Sequence, residues 1–258
     1  MCKECGCGIN AGGDVKIGGH NHEHEHEHGH EHHLHEHGHE HGQTLTLSRS
    51  LMEKNDRLAE RNRGFFRAKK LLVLNVVSSP GSGKTTFIRE TAAALAKQLR
   101  VGVIVGDLAT DNDAARLKTA GIPVVQITTG TVCHLDADMV SKAAGQLDLD
   151  KLDVLVIENV GNLVCPADYD LGEDLRVVLL STTEGEDKPL KYPPMFHSAH
   201  VAVVTKSDLA AAAGFNREQA LANLRRVSHH AEIFELSAKT GDGMKAWLDF
   251  LLKQKREK

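Results

Sequence analysis

The chain has no run of eighteen apolar residues, and therefore no segment that reads as a membrane-spanning helix. Its opening, MCKECGCGINAGG, lacks the charged-then-apolar layout of a secretory signal. An excess of positive charge is also missing: Lys and Arg number 31 against 35 Asp and Glu, a formal net charge of −4 with neutral histidine. With no basic amphipathic stretch either, neither nucleic acid nor a membrane surface is an expected partner. Cysteine is scarce and odd in number, comprising Cys2, Cys5, Cys7, Cys133 and Cys165. That argues against a disulfide framework and for metal or redox use. The expectation is a cytoplasmic protein whose 258 residues make one sizeable domain plus extensions, or two small domains.

Histidine is what the sequence has in excess. Residues 20–41 read HNHEHEHEHGHEHHLHEHGHEH, with six glutamates among twelve histidines: His20, His22, His24, His26, His28, His30, His32, His33, His35, His37, His39 and His41. An expression tag is normally an unbroken block at a terminus, whereas this tract is interspersed with Glu and preceded by a cysteine cluster. Residues 1–42 have only Ile9, Val15, Ile17 and Leu34 to bury. That is too little to offset the entropy of ordering, which predicts an arm disordered without metal. In CKECGC, Cys2, Cys5 and Cys7 can wrap one ion with little strain, and removal of Met1 would add the amine of Cys2 as a ligand. Thiolate softness permits nickel, zinc or an iron–sulfur centre there. The imidazoles, with an ordinary pKa of about 6.5, suit a reservoir that loads near neutral pH and empties on acidification.

Past the arm the pattern changes. Residues 43–68 set Leu47, Leu51, Leu58, Phe65 and Phe66 at roughly helical spacing among charges, predicting an amphipathic helix that docks on the main domain. Residues 69–258 alternate short apolar, β-branched runs with helical stretches. The runs are KLLVLNVVS, VGVIVGD, PVVQI, DVLVIEN, LRVVLLSTT, HVAVVTK and AEIFEL. Helices are expected from the first glycine-rich loop to about Leu99, near 111–119, over 133–146, near 216–228 and over 242–254. The fold class is α/β: a mostly parallel sheet flanked by helices on both faces, behind the arm.

The glycine-rich SSPGSGKTT (78–86) follows a strand and opens a helix, the context of a phosphate-binding loop. Gly81 and Gly83 let backbone N–H groups approach phosphate oxygens; Ser82 and Thr86 complete the cradle. Lys84 would pair with the β- and γ-phosphates and Thr85 would hold Mg²⁺. One departure is that Ser78 stands where the strict pattern has glycine. For the base, Thr205, Lys206 and Asp208 of TKSD end a strand. The Asp208 carboxylate can accept from guanine N1–H and the 2-amino group, donors that adenine lacks, which favours GTP over ATP. Ser237, Ala238 and Lys239 follow the next strand, where a backbone N–H can meet the guanine 6-oxygen. Asp107 and Glu158 end strands near the phosphates. Glu158 begins ENVG (158–161), whose Gly161 is placed to sense the γ-phosphate, and Asp107 or Asp111 is the candidate for the second acidic contact to Mg²⁺.

Cys133, His134 and Cys165 lie on loops that leave the same rim of the sheet as the phosphate loop. Two thiols and an imidazole suit Ni²⁺, Zn²⁺ or copper. Three ligands leave a four-coordinate shell incomplete, so a site shared by two copies is expected. The alternative is that these cysteines are inert small apolar residues.

SSPGSGKTT, ENVGNLVCP (158–166), TGTVCHLDA (129–137) and TKSD together resemble the HypB-type nickel-incorporation GTPases of NiFe-hydrogenase maturation. The resemblance implies a SIMIBI-class P-loop GTPase that delivers nickel to a hydrogenase large-subunit precursor; slow intrinsic hydrolysis is expected because no water-positioning glutamine or arginine finger is readable in the sequence. It further implies a HypA-type metallochaperone partner and homodimerisation on GTP or metal binding. Cys2, Cys5 and Cys7 correspond to a high-affinity nickel site, and Cys133, His134 and Cys165 to a nickel/zinc site of the GTPase domain. The urease-type nickel GTPases are similar but use a Cys-Pro-His run, whereas Cys165–Pro166 is followed here by Ala167. A nickel storage or detoxification protein, and a P-loop kinase or ATPase, are the remaining alternatives.

Overall fold

Seven β-branched and leucine-rich runs become seven strands. They are β1 (Leu72–Val77), β2 (Val101–Asp107), β3 (Val124–Thr128), β4 (Val154–Glu158), β5 (Leu175–Ser181), β6 (Val201–Thr205) and β7 (Glu232–Glu235). The computed structural model describes residues 40–107 and 112–258, with side chains from Ser50 onward. Met52–Lys258 forms one compact unit. The expected disordered arm, with Cys2, Cys5, Cys7 and the histidines from His20 to His39, lies outside the described residues, as does Asp111. The His41 side chain is likewise not described.

The strands form one sheet in the order β3-β2-β4-β1-β5-β6-β7, with all six pairings parallel. The sheet is therefore parallel throughout, not just mostly. Every residue of β1, β4, β5 and β6 is buried, and the two edge strands β3 and β7 are only partly so. Such two-sided burial is why these runs are continuously apolar instead of alternating. On one face lie α2 (Lys84–Leu95), α3 (Asn112–Thr119) and α8 (Met244–Arg256), which bring Phe87, Leu95, Leu117, Trp247 and Leu251 onto Leu74, Val103 and Val177. On the other, α1 (Glu40–Ala68), from Met52 onward, and α4 (Ala137–Ala144) cover Val73 and Leu155, while α5 (Lys188–Lys191), α6 (Pro193–His197) and α7 (Arg217–Val227) complete the layer.

Two expectations need correction. First, α1 docks from Met52 onward with Phe66 buried as expected, but its other buried positions are Asn55, Ala59 and Asn62; Leu51 and Phe65 are about half exposed and Leu58 is half-buried. The docking face is largely polar because it meets unpaired backbone. Asn55 donates to Asp170 O (2.9 Å) and accepts from Ala137 N (3.0 Å), and Asn62 donates to Ala137 O (2.7 Å) and Leu171 O (3.2 Å). Second, the stretch expected to be helical from 133 enters α4 only at Ala137. Asp136 caps that helix by accepting from Met139 N at 2.8 Å, which leaves Cys133 and His134 on the preceding loop.

Candidate functional site

The carboxyl ends of β1, β2, β4, β5, β6 and β7 converge on one rim, with β1 at the point where the chain switches from one side of the sheet to the other. Such a switch point opens a ligand crevice in parallel α/β sheets. Directly after β1, Gly81 (φ 75°) and Gly83 (φ 97°) adopt the left-handed backbone that turns the chain into α2. Lys84 is the first helical residue, and its Nζ donates to Ser78 Oγ at 3.0 Å. The serine that departs from the glycine pattern thus supplies a hydroxyl to the lysine. Burial lowers the Lys84 pKa, against the opposing charges of Glu158, Asp113, Glu184 and Asp107.

Glu158, 2 % exposed at the end of β4, faces that lysine. Its Oε1 accepts from Thr85 Oγ1 at 2.7 Å, and its Oε2 is buried with no hydrogen-bond donor. Burial pushes the carboxyl up to about 7, against the Thr85 bond and the Lys84 charge. An orphaned carboxylate oxygen beside a threonine hydroxyl, next to a phosphate cradle, has the donor chemistry of a hydrated divalent cation. Asp107 ends β2 and its carbonyl pairs with Thr129 N at 2.9 Å. Asp107 and Asp113 both act electrostatically on Lys84 and Glu158. Asp113 was not singled out from sequence. A second missed acid is Glu184, past β5, whose carboxylate oxygens are both buried. Burial raises its pKa, opposed by Lys188, the Ser79 hydroxyl, Lys206 and Lys84. The acid in STTEG just past an apolar run was the available signal.

The base side is a cavity of about 270 Å³ lined by Ser82, Gly83, Thr86, Thr205, Lys206, Asp208, Ser237, Ala238 and Lys239. All the residues expected around the base therefore share one space. Lys206 adopts φ 57°, a conformation sparsely used by side-chain-bearing residues. Its Nζ donates to Gly81 O (2.7 Å), and Thr205 Oγ1 donates to Ser82 O (3.0 Å), tying the end of β6 to the phosphate loop.

Cys133, His134 and Cys165 bring one ligand atom each to within 4.8 Å of one another. The two Sγ atoms are 2.9 Å apart, well beyond a disulfide bond of about 2.05 Å. His134 is buried, its Nδ1 has no hydrogen-bond partner, and its ring stacks on Tyr169 at 3.8 Å between centroids. Burial lowers the pKa of His134, keeping the imidazole in the neutral form that binds metals. Asn162 braces the loops: its Nδ2 donates to Cys133 O at 3.1 Å while its Oδ1 accepts from Val164 N at 2.9 Å. Gly161 lies between Glu158 and Cys165, so close to Pro80 that an added Cβ would stand 3.1 Å from its ring and backbone. The loop that presents Cys165 therefore begins in contact with the phosphate loop. Neither Tyr169 nor Asn162 was singled out from sequence.

Comparison with known proteins accounts for this combination. Residues 72–235 match the family model described as CobW/HypB/UreG, nucleotide-binding domain. The chain is 52% identical over 205 residues to the hydrogenase maturation factor HypB of Escherichia coli K12, spanning 80% of this chain and 71% of that protein. It is 42% identical over 211 residues to the hydrogenase/urease maturation factor HypB of Helicobacter pylori strain 26695, spanning 80% and 86% of the two chains. The crystal structure of HypB from Helicobacter pylori in complex with nickel superposes with a TM-score of 0.76 at 42% identity, covering 79% of this chain and 96% of the other. On these matches the chain belongs to the HypB hydrogenase maturation factors of the CobW/HypB/UreG nucleotide-binding family.

Proposed function

We propose that this protein is a GTP-hydrolysing nickel metallochaperone that stores nickel and passes it to a NiFe-hydrogenase large-subunit precursor in the cytoplasm. The observation that carries this reading is the placement of Cys133, His134 and Cys165 on loops of the nucleotide rim, with Gly161 packed on Pro80. The nickel in the Helicobacter relative supports the choice of metal. Asp208, in the base cavity, would select guanine. Gly81, Ser82, Gly83, Lys84 and Thr86 would cradle the phosphates, and Thr85 with Glu158 would hold Mg²⁺, which when bound neutralises phosphate charge. Asp107 and Asp113 add negative potential around that position. With no water-positioning glutamine or arginine finger singled out in the sequence, intrinsic hydrolysis would be slow.

Nickel is the cargo, and Zn²⁺ is a second ion that the thiol–imidazole set would accept. Three ligands leave the shell incomplete, and Val164, 60 % exposed directly before Cys165, marks the face on which a second copy would close it. Homodimerisation would then follow GTP and metal binding. A HypA-type metallochaperone would hand nickel on or receive it, with Cys2, Cys5 and Cys7 as the high-affinity site and the histidines from His20 to His41 as the reservoir. The double role printed for the Helicobacter relative favours nickel insertion into urease as a second reading.

The test is nickel affinity of the full chain with GDP and with a non-hydrolysable GTP analogue. A difference of at least about fivefold is expected, since coupling between sites typically lies between about 5- and 150-fold. Cys133→Ser or Cys165→Ser should abolish it without affecting GTP binding. Equal affinities in the unaltered chain would sink the reading.

A further inference from the structure

Away from their carboxyl ends, two strands of the central sheet each hold one polar side chain that an apolar, fully buried strand has no packing reason to hold. They are Asn75 in LVLNVV of β1, 0 % exposed, and Arg176 in LRVVLLS of β5, 6 % exposed. Parallel pairing sets them directly across from each other. Burying an amide or a guanidinium without partners costs several kcal/mol, so each must be fully bonded, and Arg176 shows how. Its Nε donates to Glu173 Oε1 (3.0 Å), and Nη2 reaches Glu173 Oε1 (2.9 Å) and Tyr169 O (2.7 Å). Nη1 donates to Ala167 O and Ser198 Oγ, both at 3.0 Å. Four guanidinium N–H groups thereby donate hydrogen bonds, and the Glu173 carboxylate pairs the charge. Two of them hold the backbone of the segment that begins at Cys165 and ends in Tyr169, the ring stacked on His134.

The line continues in the opposite direction. Asn75 Nδ2 donates to Glu173 Oε1 at 3.1 Å, and Asn75 Oδ1 accepts from Asn159 Nδ2 at 3.2 Å. Asn159, 1 % exposed, follows Glu158, and its Oδ1 accepts from Val160 N at 2.9 Å, fixing the entry to Gly161. Burial opposes ionisation of Glu173, but Arg176 and the amide donors hold its carboxyl below the usual carboxylate range. Around this line the core is apolar, with Val73 and Val77 on the same face of β1 as Asn75.

We infer that the buried line Asn159–Asn75–Glu173–Arg176 is a positioning relay, which ties the backbone after Glu158 to the backbone that presents Cys165 and Tyr169. The inference rests on the proposed nickel–GTP coupling and names the residues that carry it. A displacement of residues 159–161 changes the Asn159 bond to Asn75, and through Glu173 it changes the guanidinium that holds Ala167 and Tyr169. Beside the 159–165 loop, this line is a second connection between the two sites; it crosses the sheet interior, where side chains have few alternative positions.

The experiment uses the full chain carrying Cys2→Ser, Cys5→Ser and Cys7→Ser, so that Cys133 and Cys165 are its remaining cysteines. Thiolate-to-nickel charge-transfer absorption then reports that site alone, because imidazoles of the arm give no such band. Free nickel is set with a chelator buffer, and affinity is read with GDP and with the GTP analogue in the parent, Asn75→Leu and Asn159→Ala proteins. The expected result is a ratio of fivefold or more in the parent, within the typical coupling range, and below twofold in both variants. A merely structural defect lowers both affinities together and leaves the ratio unchanged. Asn159→Ala, at a strand end, carries the test if Asn75→Leu does not fold. A parental ratio retained in the folded variants overturns the relay alone; equal affinities in the parent overturn the coupling and the relay together.

Discussion

At Lys84 and Glu158, single side chains hold opposite charges in a space that favours neither. Burial lowers the lysine pKa and raises that of the acid, so each depends on a partner the fold supplies: Ser78 for one and Thr85 for the other. Lys84→Ala should therefore weaken GTP binding by about 100-fold or more while leaving the melting temperature unchanged or raised, because a desolvated cation is removed. Isothermal titration and a thermal melt check both halves. Asp208→Ala should bring GTP and ATP dissociation constants to within about threefold of each other, the loss expected on the proposal that this carboxylate selects guanine. A third residue predicts pH dependence. His200 Nδ1 accepts from Arg176 N at 2.9 Å, and burial lowers its pKa despite the pull of Glu173, with Arg176, His230 and Arg63 adding positive charge around it. The unfolded chain takes up a proton at about pH 6.5 that the folded site resists, so this contribution is present above that pH and is lost as pH falls through it. His200→Asn keeps an acceptor and removes the titration. Its urea midpoint should fall less between pH 7 and 5.5 than that of the unaltered protein.

Elements show how much of the architecture could be read in advance. The five inner strands were legible because a strand buried on both faces is an unbroken apolar run, as in VLVIE of β4. The phosphate loop was legible because its chemistry demands particular residues at fixed spacing, and Thr205, Lys206 and Asp208 of TKSD do line one cavity with it. The face of α1 was not, since Asn55 and Asn62 look solvated until the orphaned carbonyls of Asp170, Ala137 and Leu171 come into view. Likewise α5 and α6 were hidden by three prolines in KPLKYPPMFH, each sitting in the first turn of a short helix where a missing N–H is harmless. Gly172 was also silent in the sequence. Its φ is 88°, and an added Cβ would stand 2.6 Å from Ala59 O and 2.8 Å from Arg63 N of α1. Gly172→Ala should cost about 2 kcal/mol or more in chemical denaturation, combining an unfavourable backbone with a clash against helix backbone.

For the whole molecule, the proposed roles separate by region and so by experiment. Deleting residues 20–41 should reduce the number of nickel ions bound per chain by several while leaving the GTP dissociation constant unchanged, as equilibrium dialysis and titration would show. Nickel with a GTP analogue should raise the sedimenting mass towards two chains, and Cys165→Ser should remove the metal-dependent part of that shift. Loss of GTP binding on deletion of the arm would contradict this division. The strand order has a consequence in time. Leu72 pairs with Val154, and Thr205 bonds to Ser82, so neither the central sheet nor the base cavity can close until those distant partners have been synthesised. A ribosome adding about 5–20 residues per second would place His41 in the cell roughly ten seconds or more before Thr205. Each new molecule would therefore meet metal before it can meet nucleotide.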